Sequence, residues 1–260
     1  MAHLQCVLSL FVLYLPSQCC SRHQSLMQCR NLSTMNRLPQ VTKNLLAINV
    51  LMFLATIVLE RKGIDLTGIL GLHFFKAADF APYQLVTYMF MHSGFSHVFF
   101  NMFALYMFGS VLEKMWGAKR FIIYYLVAGV GAGLLQEVVQ YVSFVHEGLA
   151  LYEGVRTPSG VVPMGQFLNM WTTVGASGAI YAILLGFGML FPNERMFVFP
   201  LPFPIKAKFF VIGYAVIELL LGISNSQDGI AHFAHLGGML FGLALILYWR
   251  KTNKIGGPYV

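Results

Sequence analysis

Apolar residues recur in long runs along the chain, and each run ends at charged residues, proline or glycine. A helix that crosses a bilayer needs about 20 mostly apolar residues, so runs of this length predict membrane spans. The predicted spans cover residues 44–60, 95–113, 120–142, 170–191, 207–225 and 230–249. The pattern therefore predicts an all-α membrane protein built as a bundle of six transmembrane helices.

The composition supports this prediction. Hydrophobic residues make up 57% of the chain and charged residues 10%, whereas about a quarter of the residues in a soluble domain are charged. The net charge of +7 could suggest nucleic acid as a partner. However, the lysines and arginines stand in short clusters between apolar runs, where basic residues set membrane topology. We therefore expect the lipid bilayer, and no nucleic acid, to be a partner.

The distribution of basic residues predicts that both termini face the cytoplasm. Under this orientation only Arg61, Lys62, Lys76 and Arg156 fall on the outer side. The inner side receives Arg22, Arg30, Arg37, Lys43, Lys114, Lys119, Arg120, Arg195, Lys206, Lys208, Arg250, Lys251 and Lys254. Cytoplasmic loops carry the excess of basic residues, so the pattern favours N-in, C-in topology, although Arg61 and Lys62 run locally against it.

The first 34 residues differ in composition from the rest. All four cysteines precede residue 30, so the later chain can form neither a disulfide nor a thiolate metal site. The stretch LQCVLSLFVLYL resembles the apolar core of a signal peptide, but no lysine or arginine precedes it. We predict that residues 1–34 are a non-core extension, that translation begins naturally at Met35, and that residues 35–260 form one membrane domain.

Several polar side chains fall within the predicted spans, where they are costly and therefore candidates for function. With the topology above, Ser177, His97, Asn101, His232 and His235 share one approximate depth, near the outer surface. His97 and Asn101 are four residues apart and project from one helix face, and Ser177 has the same spacing to a tyrosine, Tyr181. A nucleophile, a base and paired hydrogen-bond donors would therefore meet.

Glycines flank these polar residues. Gly175 and Gly178 stand beside the serine, while Gly238 and Gly242 form a GxxxG stripe on the same face as His235. Small residues let helices approach closely, which would bring the histidine within about 3 Å of a serine on the neighbouring helix. Taken singly, such glycines usually serve packing, and an intramembrane serine usually bonds to a carbonyl of its own helix.

These motifs resemble those of the rhomboid intramembrane serine proteases. GASG surrounds Ser177, HxxxN is His97–Asn101, and AHxxGxxxG begins at Ala234. They stand in the family's order, and the likeness covers about residues 40–250. The basic six-helix form is similar to the prokaryotic type, which implies a bacterial inner membrane with the site facing the periplasm.

The resemblance also implies a role for each matching residue. Ser177 would be the nucleophile and His235 its general base, in a dyad supported by Tyr181 stacked on the imidazole. His97, Asn101 and the backbone N–H of Ser177 would form the oxyanion hole. The implied reaction is hydrolysis of peptide bonds in or near the membrane segment of single-span membrane proteins, without a cofactor or metal.

Some positions depart from the family pattern or stay open. Many members have a Trp-Arg pair in the first outer loop, where this chain has Tyr83–Gln84. Glu113 matches a structural glutamate of the family. For Glu137 and Glu218, bonded packing roles are favoured over catalytic ones, and His232 has a weaker claim to the site than His235.

Two other functions remain as alternatives. The first is a catalytically inactive rhomboid-like protein that binds membrane clients. The second is a metal site or ion pathway formed by His92, His97, His232 and His235, although no HExxH motif is present.

Overall fold

The structure, a computed structural model, describes residues 12–14, 37–158, 160–198, 203–224 and 231–252, and these are mostly helical. The helices are α1 Gln40–Glu60, α2 Leu66–Leu70, α3 Gln84–Thr87, α4 Phe95–Ala104, α5 Ser110–Trp116, α6 Ala118–His146, α7 Met164–Phe167, α8 Ser177–Leu190, α9 Ala207–Ile223 and α10 His232–Lys251. The strands are β1 Val12–Tyr14, β2 Leu72–His73, β3 Gly154–Thr157, β4 Gly160–Pro163, β5 Thr172–Thr173, β6 Arg195–Val198 and β7 Ile205–Lys206.

Within the described residues, four helical segments are long and apolar enough to cross a membrane: Gln40–Glu60, Phe95–Trp116, Ala118–His146 and His232–Lys251. The segment Phe95–Trp116 joins α4 to α5 through a π turn. These spans make the chain an integral membrane protein. The two remaining predicted spans correspond to α8, with 14 residues, and α9, with 17.

The predicted start of the fourth span was wrong. Residues 170–176 are not part of the helix, which begins at Ser177. Thr172 and Thr173 instead pair as β5 with β2, with Leu72 opposite Thr173, and Gly175 has a φ of 129°, which is strained for residues other than glycine. Because Thr172 and Thr173 pair with the first outer loop, the helix begins only after them, and Ser177 lies in its first turn.

The purely all-α prediction was also incomplete, because short strands form outside the helices. Strands β3 and β4 pair as a hairpin, with Thr157 opposite Gly160, between the predicted third and fourth spans. Strand β1 pairs with β6 and is the part of the N-terminal extension that the structure describes. The start at Met35 lies outside the described residues.

The outer loop is fixed by Gln84, the second residue of the Tyr83–Gln84 pair that stands where the resemblance implies Trp-Arg. Its side chain is 1% exposed. Its Oε1 accepts from the backbone N–H of His73, at 3.3 Å, and of Ala81, at 3.1 Å, and its Nε2 donates to the carbonyl oxygen of Asp79 at 3.0 Å. A neutral amide thus supplies both the donors and the acceptor that the buried loop backbone requires.

Two buried glutamates fix other parts of the backbone. Glu113 accepts from the N–H of Val41 at 2.9 Å and from the N–H of Thr42 at 2.7 Å, so it satisfies N–H groups of the first turn of α1 that have no partner within the helix. Glu137 accepts from the N–H of Phe75, in the outer loop, at 2.8 Å. Both contacts match the packing roles favoured for these residues.

Helices α8 and α10 pack with their backbones in contact. A Cβ atom at Gly238 would overlap the carbonyl oxygen of Gly178. One turn on, a Cβ at Gly242 would lie 2.6 Å from the hydroxyl of Tyr124 and 2.9 Å from the Cβ of Ala182. The glycine stripe of α10 is therefore the surface that brings the two helices together.

We expect Gly238→Ala to lower the free energy of unfolding by about 1–3 kcal/mol or more, because the added methyl group must displace backbone rather than a flexible side chain. Thermal unfolding of the purified protein in detergent measures this loss. Gly213→Ala is the matched control, since nothing lies within 4 Å of a Cβ at Gly213 on α9. Equal melting temperatures for the two variants would contradict the proposed close packing.

Candidate active site

A cavity of about 360 Å³ contains the polar side chains that the sequence singled out. Its walls come from α4, α8, α9, α10 and the segments before α4 and before α8. The polar side chains that line it are Tyr88, Ser93, Ser96, His97, Asn101, Thr172, Thr173, Ser177, Tyr181, Tyr214, Glu218, His232 and His235. Helices distant in sequence thus bring the predicted site residues to one place.

Ser177 and His235 are hydrogen-bonded across the contact between α8 and α10. Their Oγ and Nε2 atoms are 2.8 Å apart. When Nε2 accepts the hydroxyl proton, the ring proton must be on Nδ1. Ser177 is also the first residue of α8, so its own N–H belongs to the first turn, whose N–H groups have no partner within the helix.

Tyr181 supports the imidazole from the side. The rings of Tyr181 and His235 are stacked, with centroids 4.2 Å apart and planes 7° apart. The tyrosine hydroxyl donates to Oε1 of Glu218. The stack holds the plane of the imidazole, and the hydroxyl links it to a carboxylate on a third helix.

Gly175 separates the serine from the α4 donors. A Cβ there would lie 2.7 Å from Nε2 of His97 and 3.5 Å from Oγ of Ser177. Gly178 is packed on its other side, because its added Cβ would overlap Ala132 of α6. Any larger residue at Gly175 would therefore fill the space between His97 and Ser177.

His97 and Asn101 lie side by side on α4, as predicted. Nδ1 of His97 is 3.1 Å from Oγ of Ser93, which leaves Nε2 on the side of Gly175. Nδ2 of Asn101 donates to the carbonyl of His97 at 2.9 Å, and an amide carries a second N–H. Nε2 of His97 and the second amide N–H of Asn101 can therefore donate hydrogen bonds to a group in the cavity.

His92 lies against this pair, just before α4. Its ring packs edge-on to that of His97, with centroids 5.0 Å apart. The pKa of His92 is lowered to about 3, mainly by burial and to a smaller extent by the neighbouring His97. The ring is therefore neutral at physiological pH and adds no charge beside the α4 donors.

Glu218 lies closer to the candidate base than its position in the sequence indicates. Its Oε2 is 2.6 Å from Nδ1 of His232 and 3.0 Å from Nδ1 of His235. The carboxylate is thus a direct neighbour of the candidate base. One signal in the sequence points to this residue. After Lys208, Glu218 is the only charged residue in the otherwise apolar helix α9.

The four-histidine metal set predicted as an alternative does not form as such. Among the described residues, the group with ligand atoms within 4.8 Å of one another is Glu218, His232 and His235. The 2.6 Å separation of His232 and Glu218 is a hydrogen-bond distance, whereas two ligands of one tetrahedral zinc lie about 3.3 Å apart. The geometry is that of a hydrogen-bonded cluster.

Comparison with known proteins gives relatives with matching names. The chain is 27% identical over 171 residues to the Rhomboid protease AarA of Providencia stuartii, covering 64% of this chain and 56% of that one. It is 28% identical over 173 residues to the chloroplastic Rhomboid-like protein 16 of Arabidopsis thaliana, covering 66% and 49%. The chain spans about half the length of these two relatives.

The family match extends over the whole site. The Rhomboid domain matches residues 79–252, which is more than half of the chain and includes α4, α8, α9 and α10 with every polar residue of the cavity. Together with the membrane-spanning helices, this match identifies the chain as a member of the rhomboid family of intramembrane serine proteases.

Proposed function

We propose that the protein is an intramembrane serine endopeptidase that hydrolyses peptide bonds in or near the transmembrane segments of single-span membrane proteins. The observation that carries this proposal is the 2.8 Å contact between Oγ of Ser177 and Nε2 of His235 inside the cavity. A hydroxyl bonded to a neutral imidazole is the arrangement that activates a serine for acyl transfer.

In the proposed reaction, Oγ of Ser177 attacks the scissile carbonyl carbon while its proton passes to Nε2 of His235. The carbonyl oxygen becomes an oxyanion, which the Ser177 N–H and donors of His97 and Asn101 stabilise. His235 then gives the proton to the leaving amine. Water, activated by the same imidazole, hydrolyses the acyl-enzyme and regenerates the serine.

The surroundings of the site favour a substrate that arrives through lipid. Side chains of α9 such as Phe209, Ile212 and Leu220 are exposed and apolar, as expected for a surface in contact with acyl chains. A helical substrate hides its carbonyls in backbone hydrogen bonds, so the segment that is cut must unwind. Sequences rich in small or helix-breaking residues near the end of a span are therefore the proposed targets.

The proposed topology has six spans, with α8 and α9 added to the four longer helices, and both termini in the cytoplasm. The excess of basic residues on one side supports it. We place the protein in a bacterial cytoplasmic membrane with the cavity open to the periplasm. Labelling of single cysteines introduced near Arg156 and Lys254, from either side of the membrane, tests this orientation.

The experiment that tests the function is cleavage of a panel of single-span substrates by the purified full-length protein in lipid vesicles, combined with labelling by a fluorophosphonate that reacts with activated serines. We expect both cleavage and labelling. A folded protein that binds substrates without cutting any of them, and without labelling, would be the inactive client-binding relative. Cleavage that a chelator abolishes would indicate metal chemistry instead.

His97→Ala is expected to lower kcat by about 10²–10³-fold with little change in KM, because an oxyanion donor acts only as the transition state forms. Initial cleavage rates over a range of substrate concentrations measure the two parameters. His146→Ala, at the exposed end of α6, is the control. A change in kcat of less than about tenfold would argue against an oxyanion role for His97.

A further inference from the structure

Glu218 is a buried carboxylate on α9, a helix of the site that carries many exposed apolar side chains. It is 5% exposed, while its neighbours Ile217 and Leu219 are 38% and 45% exposed. A charged group at this depth is costly unless partners surround it. The side chain therefore turns inward from α9 to reach polar groups on α8 and α10.

Its two oxygens have different partners. Oε1 accepts from the hydroxyl of Tyr181 on α8. Oε2 is shared on α10, at 2.6 Å from Nδ1 of His232 and 3.0 Å from Nδ1 of His235. The contact with His235 is at ion-pair distance but lacks the angle of a straight hydrogen bond, whereas His232 has the aligned one.

The ring nitrogen beside the carboxylate is the one that matters for proton transfer. Nε2 of His235 is bonded to Ser177, so Nδ1 must carry the proton when Nε2 acts as a base. A negative oxygen beside Nδ1 favours that tautomer and stabilises the imidazolium that forms when the serine proton arrives. Among the residues lining the cavity, Glu218 is the only carboxylate.

We propose that Glu218 is a positioning residue of the site, which holds the Nδ1–H tautomer of His235 and stabilises its protonated form, so that serine, histidine and glutamate act as a triad assembled from three helices. The inference rests on the proposed function. No additional reactant is required, because the proton moves from Oγ to Nε2 and then to the leaving amine, while Glu218 stays ionised.

A purely structural role for Glu218 makes a different prediction. If the carboxylate only tied α9 to α10 through its shorter contact, removing His232 would cost as much activity as removing the charge of Glu218. If Glu218 instead positions His235, the loss of activity comes from the contact between Glu218 and His235. Removing His232, which only shares the same carboxylate oxygen, should then cost less activity. Variants of the two residues therefore separate the two roles.

The test compares Glu218→Gln, Glu218→Asp and His232→Gln in the full-length protein in lipid vesicles. Glu218→Gln keeps size and removes charge, and we expect kcat to fall by about 10²- to 10⁴-fold with KM nearly unchanged, the upper figure being the loss seen when the aspartate of a serine-protease triad becomes asparagine. Glu218→Asp should retain more activity than Glu218→Gln, and His232→Gln should lose less than about tenfold. Glu137→Gln, a buried glutamate bonded to the outer loop, is the control.

A spectroscopic readout is independent of turnover. In protein labelled with ¹⁵N-histidine, Nδ1 of His235 should give the ¹⁵N resonance of a protonated ring nitrogen in the wild type, and Glu218→Gln should weaken that resonance in favour of a protonated Nε2. This resonance tests the proposal even if a variant fails to fold, because its absence from the wild type would overturn the inference.

Other outcomes separate this inference from the proposed function. If the wild type cuts substrates and Glu218→Gln retains its kcat, or if His232→Gln costs as much as Glu218→Gln, the positioning role is wrong while the protease stands. If chelation abolishes activity and zinc restores it, Glu218 is a metal ligand instead. If the wild type cuts nothing, the proposed function itself fails.

Discussion

Ser177→Ala is expected to lower kcat for substrate cleavage by more than about 10⁴-fold and to abolish fluorophosphonate labelling. The hydroxyl that forms the covalent intermediate is removed, and no other described serine is bonded to a histidine on a neighbouring helix. Ser93, the other serine near a histidine, contacts His97 within its own segment. Cleavage gels and probe fluorescence measure the two effects.

A second intramembrane serine provides the matched control. Ser110 begins α5, and its Oγ is buried with no hydrogen-bond partner within the described residues. Ser110→Ala removes a hydroxyl of the same kind from the same bundle, so labelling and kcat should stay within about threefold of the wild type. Cleavage that survives Ser177→Ala would refute the serine mechanism.

Local spacing was sufficient to predict the pairs that lie on one helix. His97 with Asn101 and Ser177 with Tyr181 follow from the i, i+4 geometry of a helix, and the structure places each pair on a single face toward the cavity. The glycines of α10 could also be identified as an interface, since small residues at this spacing allow close packing. These features depend on one helix at a time.

Features that depend on two distant segments could not be predicted. The helix start at Ser177 is set by the pairing of Thr172 and Thr173 with the outer loop, which the local sequence does not encode. The contacts of Glu218 could not be predicted either, because its partners lie on two other helices. Only the orientation of α9 about its own axis places the carboxylate next to His235. A buried charge marks such a residue as important without naming its partner.

The position of Gln84 shows a different limit of prediction. The chain departs from the Trp-Arg pattern here, yet a neutral amide bonds to four backbone groups of the loop. The loop backbone needs donors and acceptors at this point rather than a particular charge. Several side chains can satisfy that need, so a family motif at such a position predicts less than a motif at the cavity.

His235→Ala is expected to lower kcat by more than about 10⁴-fold, because Ser177 loses the group that takes its proton. The cavity keeps Ser177, His97 and Asn101, so substrate binding and KM should change little. The same variant also removes the ring stacked on Tyr181 and one neighbour of Glu218. Its melting temperature must therefore be compared with the wild type before rates are interpreted.

The pH dependence of labelling separates loss of the base from loss of structure. In His235→Ala the serine must lose its proton to solvent, so the residual rate of fluorophosphonate labelling should rise by about tenfold per pH unit, in proportion to hydroxide. In the wild type the base is part of the site, so the labelling rate should not follow hydroxide in this way. A folded His235→Ala protein that labels as fast as the wild type would show that His235 does not act as the base for Ser177.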